Sequence, residues 1–348
     1  MPGHDVIVIG ASTGGVEALM QIVRDLPADL PAAVLVVLHI PPQGSSRLPE
    51  ILSRAGTLPA THPTDHEPIR PGHIYVAPPD FHVLVEKGKV RVVRGPRENR
   101  ARPAIDPLFR TAAVSYGPRV VGVILTGALD DGTSGLWAIK QRGGLAVIQD
   151  PEEALISSMP ANALEYVTID YCLPLSGIPA ALARLAHEPA EEEGVYPVPK
   201  DMDLESRLAA SDQEPMESLE RPGTLSAFTC PECKGPLWEL HDGKLIRFRC
   251  RQGHAFTADT MLNGQTEAVE DALWTALNIL QEHQQMLYKL ANDAHRRNFP
   301  LLATRFETQA QERAKQMDAL RLVLGTGEQG ETAATQITGE AEQQMKQA

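Results

Sequence analysis

VIVIGASTGGVEAL, residues 6–19, joins an apolar β-branched run to a glycine-rich turn and then to a helical pattern. A turn of this kind either cradles a phosphate or presents a side chain at a strand end. As a dinucleotide fingerprint the spacing G-x-G-x-x-G falls on Gly10, Ser12 and Gly15, so a serine sits where the pyrophosphate should approach. As G-x-S-x-G all three positions match, at Gly10, Ser12 and Gly14. The same serine could also simply cap the helix after it.

Outward from this turn, residues 1–187 alternate apolar β-branched runs with helical stretches. The runs are DVIVIG (5–10), AAVLVVLH (32–39), HIYVA (73–77), RVVGVILTG (119–127) and GLAVIQ (144–149). Continuous apolar runs alternating with helices predict an α/β fold, a doubly wound and mostly parallel sheet. HVLVE (82–86) and KVRVV (89–93) read as a hairpin turning at Lys87 and Gly88. In such a sheet, ligands sit beyond the carboxyl ends of the strands. Ser12 follows the first run, His39 ends the second, and Asp130 and Asp131 follow the fourth. Serine, histidine and carboxylate are a nucleophile, its general base and the group that orients the base. Spacing alone does not choose between the two aspartates. Free N–H groups at Thr13, Gly14 and Gly15, where a helix begins, could stabilise an oxyanion.

The next segment differs in composition. Residues 188–221 hold eleven acidic and three basic side chains, with prolines at 189, 197, 199 and 215, and no persistent period. They predict an acidic flexible linker over 188–227. A coil of about forty residues spans on the order of 35 Å, enough to let the C-terminal region roam around the strand-end edge. The net charge of −13 argues against nucleic acid as a partner. Nothing approaches an 18-residue apolar stretch, so no membrane insertion is expected, and the lack of a signal-peptide pattern predicts a cytoplasmic protein.

CPECKG (230–235) and CRQGH (250–254) offer Cys230, Cys233, Cys250 and His254, on either side of a hairpin turning at Asp242 and Gly243. Three thiolates and an imidazole in two knuckles predict a structural zinc site within a ribbon-like module at 228–262, with no cofactor for catalysis. His241, in the hairpin, is a weaker candidate ligand. Trp238, Phe248 and Phe256 are expected around the metal, and Cys172, in TIDYCLPL, in the main core. Leucines at 273, 277, 280, 287 and 290, then Leu302, Phe306, Ala310, Met317 and Leu320, predict a helical hairpin over 263–325, broken at 298–300. Such a hairpin suits self-association or docking on a helical bundle. A polar tail, 326–348, is expected to be disordered.

Residues 5–185 resemble the catalytic domain of the CheB family, the chemotaxis protein-glutamate methylesterases. The resemblance runs through VIGASTGG (8–15), HIPP (39–42), PGHIYVAPPDFHV (71–83), GPRENRARPAID (95–106), GVILTGALDDG (122–132) and SSMPANAL (157–164). It implies a Ser12–His39–Asp131 triad, so Asp131 rather than Asp130. It also implies oxyanion contacts from the backbone near Ala128, where the family has methionine. The implied activity is hydrolysis of glutamate methyl esters on a methyl-accepting chemoreceptor or similar methylated protein, with deamidation of glutamine as a companion reaction. Family members usually carry a receiver domain ahead of the catalytic part, whereas the catalytic pattern here starts at residue 5. The rival reading is an idle CheB-like scaffold that acts through its C-terminal region.

Overall fold

The computed structural model describes residues 3–210 and 223–325. Residues 211–222 of the expected linker and the expected tail at 326–348 lie outside the described residues. The chain divides into two units, 1–262 and 263–348.

The first unit opens with β1 (Val6–Ala11), α1 (Gly15–Asp25), β2 (Ala33–Leu38), α2 (Leu48–Ala55), β3 (Ala60–Thr61) and β4 (Ile74–Val76). A hairpin of β5 (His82–Glu86) and β6 (Lys89–Val93) comes after them, antiparallel as expected. Next come α3 (Ile105–Tyr116), β7 (Val120–Ile124), α4 (Thr133–Gln141), β8 (Leu145–Gln149), α5 (Ser158–Tyr166), β9 (Tyr171–Leu173) and α6 (Ile178–His187). Seven strands form one parallel sheet in the order β3-β4-β2-β1-β7-β8-β9. The chain moves outward from β1 to β2, and later to β7 on the other side. The switch point therefore lies at β1, where such sheets open a crevice.

Alternation along the strands fills both faces. Val6, Val8, Leu35 and Ile124 pack with Phe109 of α3, Leu136 of α4 and Met159 of α5. Ile7, Ile9, Val34 and Val123 pack with Leu19 and Ile22 of α1, Leu52 of α2 and Leu182 of α6. This two-sided burial is why the strands read as unbroken apolar runs. The edge strands β3 and β9 are two and three residues long, too short to show a period. Cys172 is exposed on β9 rather than buried in the core, because an edge strand has a covered neighbour on one side only.

The linker expectation fails over its described part. Lys200–Ala209 form a helix, α7, with Met202, Leu204, Glu205 and Ala209 buried. Ala209 packs on Leu84 and Val93 of the β5–β6 hairpin. The cysteine module begins at β10 (Thr224–Thr229) and continues through β11 (Pro236–Asp242), β12 (Leu245–Cys250) and β13 (Ala255–Thr257), an antiparallel sheet in that order. It does not roam on a tether. Buried ion pairs lock it to the sheet domain: Glu98 takes Arg110 (2.6 Å) and Arg249 (2.9 Å), and Glu205 takes Arg249 and Arg247 (both 2.8 Å). Asp242 closes the group, accepting from Arg247 (2.9 Å) and from the Ser134 hydroxyl (2.7 Å). Three guanidinium groups thus meet three carboxylates out of water, where each charge needs a partner.

The helix after β13, α8 (Ala258–Arg296), gives its first turn to the first unit. In the second unit, the rest of α8 pairs with α9 (Pro300–Val323). Buried Leu277, Ala291 and Ala294 belong to one helix, and Ala303, Ala310 and Met317 to the other. The seven-residue spacing of the latter three is that of a coiled-coil seam. His295 meets Glu307 at 2.9 Å across the pair. Leu290 and Leu302, expected on the inner face, are exposed. Among the described residues no helix is long and apolar enough to cross a membrane.

Candidate active site and metal cluster

Three adjacent strands, β2, β1 and β7, deliver the candidate residues to one edge. Their register is tight at the ends: His39 N–H donates to Ala11 O (3.1 Å), and Ser12 N–H to Thr126 O (3.0 Å). The turn after β1 has Gly14 at φ 78°, a left-handed conformation that glycine adopts without strain. Helix α1 has no side-chain cap, so Ser12 does not serve as its N-cap. Ser12 is half-buried, and Thr13 is exposed at the turn. Gly127 leaves room for this turn, since a Cβ there would lie 2.8 Å from the Ser12 Cβ and 2.1 Å from the Met159 sulfur. Met159 N–H donates to Gly127 O (2.9 Å), and the Asn162 side chain donates to Leu129 O (2.9 Å). The SSMPANAL segment therefore buttresses the loop that carries Ala128, which is itself exposed.

The two aspartates part company here. Asp131 is buried, and its Oδ2 lies 2.7 Å from His39 Nε2 and accepts the Ile105 N–H at 2.7 Å. Its Oδ1 accepts from the Asn99 amide (2.9 Å) and the Asp106 N–H (3.3 Å). Burial pushes the Asp131 carboxyl up, but His39, the Ile105 N–H and the Asn99 amide together hold it below its usual value. Asp130 faces the other way and accepts the Thr260 hydroxyl at 3.0 Å. Burial drives its pKa up to about 6.

Asn99 and Asp106 belong to this site, and composition and spacing did not single out Asn99. Asp106 lies beside Asp131, accepting from Gly132 N–H (3.0 Å), Gly135 N–H (2.7 Å) and the Asn99 amide (2.8 Å). Burial, then the charge of Asp131, raise its pKa well above the usual carboxylate value. Two buried carboxylates thus share a single amide. Arg102 stands apart, ion-paired to Asp80 at 2.6 Å. His82 is fully buried and structural, bonded to Pro96 O (2.8 Å) and accepting from Ala104 N–H (3.2 Å).

In the cysteine module, potential ligand atoms of Cys230, Cys233, Cys250 and His254 lie within 4.8 Å of one another. His254 Nδ1 is 3.7 Å from the Cys230 sulfur and 3.5 Å from that of Cys250, and the Cys233 and Cys250 sulfurs are 3.6 Å apart. A tetrahedron with Zn–S of about 2.3 Å and Zn–N of about 2.0 Å has edges of roughly 3.5–3.8 Å. The donor set and its spacing fit zinc. His241 does not join them, being 2.9 Å from Glu239. Phe248 and Phe256 pack with Cys230 and Cys250, two of the candidate ligands, while Trp238 is buried outside that cluster.

Fold and site define a doubly wound α/β protein with a histidine–carboxylate pair at its switch point, a layout for hydrolysis rather than nucleotide binding. The CheB methylesterase family model matches residues 7–182, just over half of the chain, and the chain belongs to that family. It is similar to a putative protein-glutamate methylesterase/protein-glutamine glutaminase of Leptospira interrogans, 40% identical over 190 residues, covering 54% of this chain and 98% of that protein. A protein-glutamate methylesterase/protein-glutamine glutaminase of Hydrogenovibrio crunogenus is 37% identical over 188 residues, covering 53% of this chain and 50% of that protein. The crystal structure of the Thermotoga maritima CheB methylesterase catalytic domain superposes with a TM-score of 0.51 at 36% identity, over 53% of this chain and all of that one. The family match ends at residue 182, ahead of α7 and the cysteine module.

Proposed function

We propose that the protein hydrolyses glutamate γ-methyl esters on a methylated protein of the chemoreceptor kind, with Ser12 as nucleophile, His39 as general base and Asp131 as the orienting acid. The observation that carries this reading is the 2.7 Å His39–Asp131 contact beside the end of the strand that bears Ser12. With Nε2–H donated to Asp131, the imidazole keeps its lone pair on Nδ1. That nitrogen takes the Ser12 proton as the hydroxyl oxygen attacks the ester carbonyl. The tetrahedral oxyanion draws on N–H groups at Thr13, Gly14 and Ala128. Collapse breaks the C–O bond, and the imidazolium gives its proton to the departing methanol. Water, deprotonated by the same imidazole, then releases glutamate and restores Ser12. An amide passes through the same kind of intermediate and releases ammonia, so glutamine deamidation needs no further group. The names of the relatives, which couple the two activities, support both.

Methanol release from a methylated receptor is the test. Ser12→Ala should lower turnover by about a thousandfold or more with folding intact, and adding His39→Ala should lower it little further. Near-normal turnover in Ser12→Ala would remove the serine from the mechanism.

A further inference from the structure

The Asn99 side chain is held from two sides. Its Oδ1 accepts the Thr257 N–H at 3.1 Å, and its Nδ2 donates to Asp131 and Asp106. The first bond sets the second: as long as Thr257 occupies the carbonyl end, the amide cannot turn over. Two backbone bonds fix the same junction, Asn99 N–H to Ala255 O (2.8 Å) and Ala255 N–H to Arg97 O (3.3 Å). Asn99 sits at φ 48°, in the left-handed region that asparagine adopts more readily than most other non-glycine residues.

Thr257 ends β13, which starts immediately after His254 and pairs with β12, the strand that ends at Cys250. Two of the four cluster residues thus flank the strand that holds Asn99. Cys250 N–H donates to His254 O (2.9 Å), closing the knuckle between them. The apolar core around this strand is small: Cys230, Leu237, Phe248, Cys250, Phe256 and Met261. Two of those six side chains are candidate ligands, so a metal there would add to the backbone bonds with Arg97, Asn99 and β12 that hold the strand.

We propose that zinc on Cys230, Cys233, Cys250 and His254 locks β13 in place, and that β13, through Asn99, sets the position of the Asp131 carboxylate. Asn99 is then a positioning residue and the metal module a brace for the active site. The rate part of this inference rests on the triad reading above. The positional part does not.

The test uses the full-length chain, with three measurements: zinc content, kcat and KM for ester hydrolysis, and the downfield proton resonance of the His39–Asp131 hydrogen bond. Protein purified without chelator should carry one zinc. Stripping zinc should lower kcat about 10- to 100-fold, leave KM within about twofold, and shift or broaden the resonance, as loss of an outer support does. Restoring zinc should reverse all of this. Asn99→Ala should reproduce the kcat and resonance changes with zinc retained, and stripping its zinc should add less than about threefold. Should the stripped chain unfold outright, Asn99→Ala still decides. An unchanged kcat and resonance in zinc-loaded Asn99→Ala, or a chain purified without zinc, would overturn the proposal. If Ser12→Ala stayed active, the triad would fall, while the resonance would still report whether zinc and Asn99 hold Asp131.

Discussion

The parallel sheet buries two full apolar layers, one on each face, built from strands and helices. The four-stranded cysteine module buries six side chains in its own cluster, two of them cysteines. A core of the second size does not hold a fold by itself. The module draws instead on a candidate metal site and on ion pairs of its Arg247 and Arg249 with Glu98 and Glu205, both outside it. One region is stable by apolar burial, and its candidate triad hangs on its strand ends. The other is docked by buried ion pairs beside a candidate metal site, and it reaches the same site from outside through Thr257.

The most severe way to break this comparison is to remove the metal. Zinc in a module of this kind supplies on the order of 10 kcal/mol to folding. Chelation should abolish amide-exchange protection across residues 223–262 while leaving that of β1, β2 and β7. Equal loss in both regions, or none in either, would show that the two do not differ in what stabilises them.

Next in size is the charge seam. Glu205→Gln keeps the shape but removes one buried charge from Arg247 and Arg249, and should cost about 3–5 kcal/mol. The pH dependence comes from the sign of the shift. Burial pushes the Glu205 carboxyl up, but the charges of Arg247 and Arg249 outweigh it and hold the pKa well below 4.5. Its contribution is therefore fully present above pH 4.5 and is lost as pH falls through the folded-state value. Urea unfolding should show the wild-type advantage over Glu205→Gln intact at pH 7 and shrinking below pH 4.5. An advantage that persists unchanged into acid would mean the carboxylate is not paired as described.

The same seam explains what could be read from the sequence and what could not. The sheet was legible because each central strand is covered on both faces, which writes an unbroken apolar run. Ser12, His39 and the two aspartates were legible because they end those runs. The choice of Asp131 came from the family resemblance and agrees with the contact to His39. Helix α7 was missed because KDMDLESRLA carries charge at half its positions, and Glu205 looks like any solvated acid. Its partners lie about 40 and 100 residues away, and no local pattern encodes them. Arg247 and Arg249 fell to the same blindness: alternate charged positions on a strand ordinarily face water, but these face carboxylates. Asn99 lay inside a recognisable segment, yet its role depends on a backbone N–H more than 150 residues further on.

The smallest of the three effects concerns Asp130, buried at the meeting of the two regions. It accepts the Thr260 hydroxyl at 3.0 Å. Burial is the main influence, opposed by hydrogen bonds from Thr257 and Thr260 and reinforced by the nearby charges of Asp259 and Asp131, and the result is a rise from 3.8 to about 6. The sign is opposite to that of Glu205. Between pH 3.8 and about 6 the folded state holds a proton that the unfolded state has released, so stability falls as pH rises through that window. By pH 7 the folded protein carries an ionised, buried carboxylate at a penalty of up to about 3 kcal/mol. Asp130→Asn keeps an oxygen for the Thr260 hydroxyl and removes the charge. It should therefore stabilise the protein against urea at pH 8 by as much as about 3 kcal/mol, and by much less at pH 4. A variant that is no more stable than wild type at pH 8, or whose advantage is larger at pH 4, would mean that the charge at position 130 is satisfied where the two regions join.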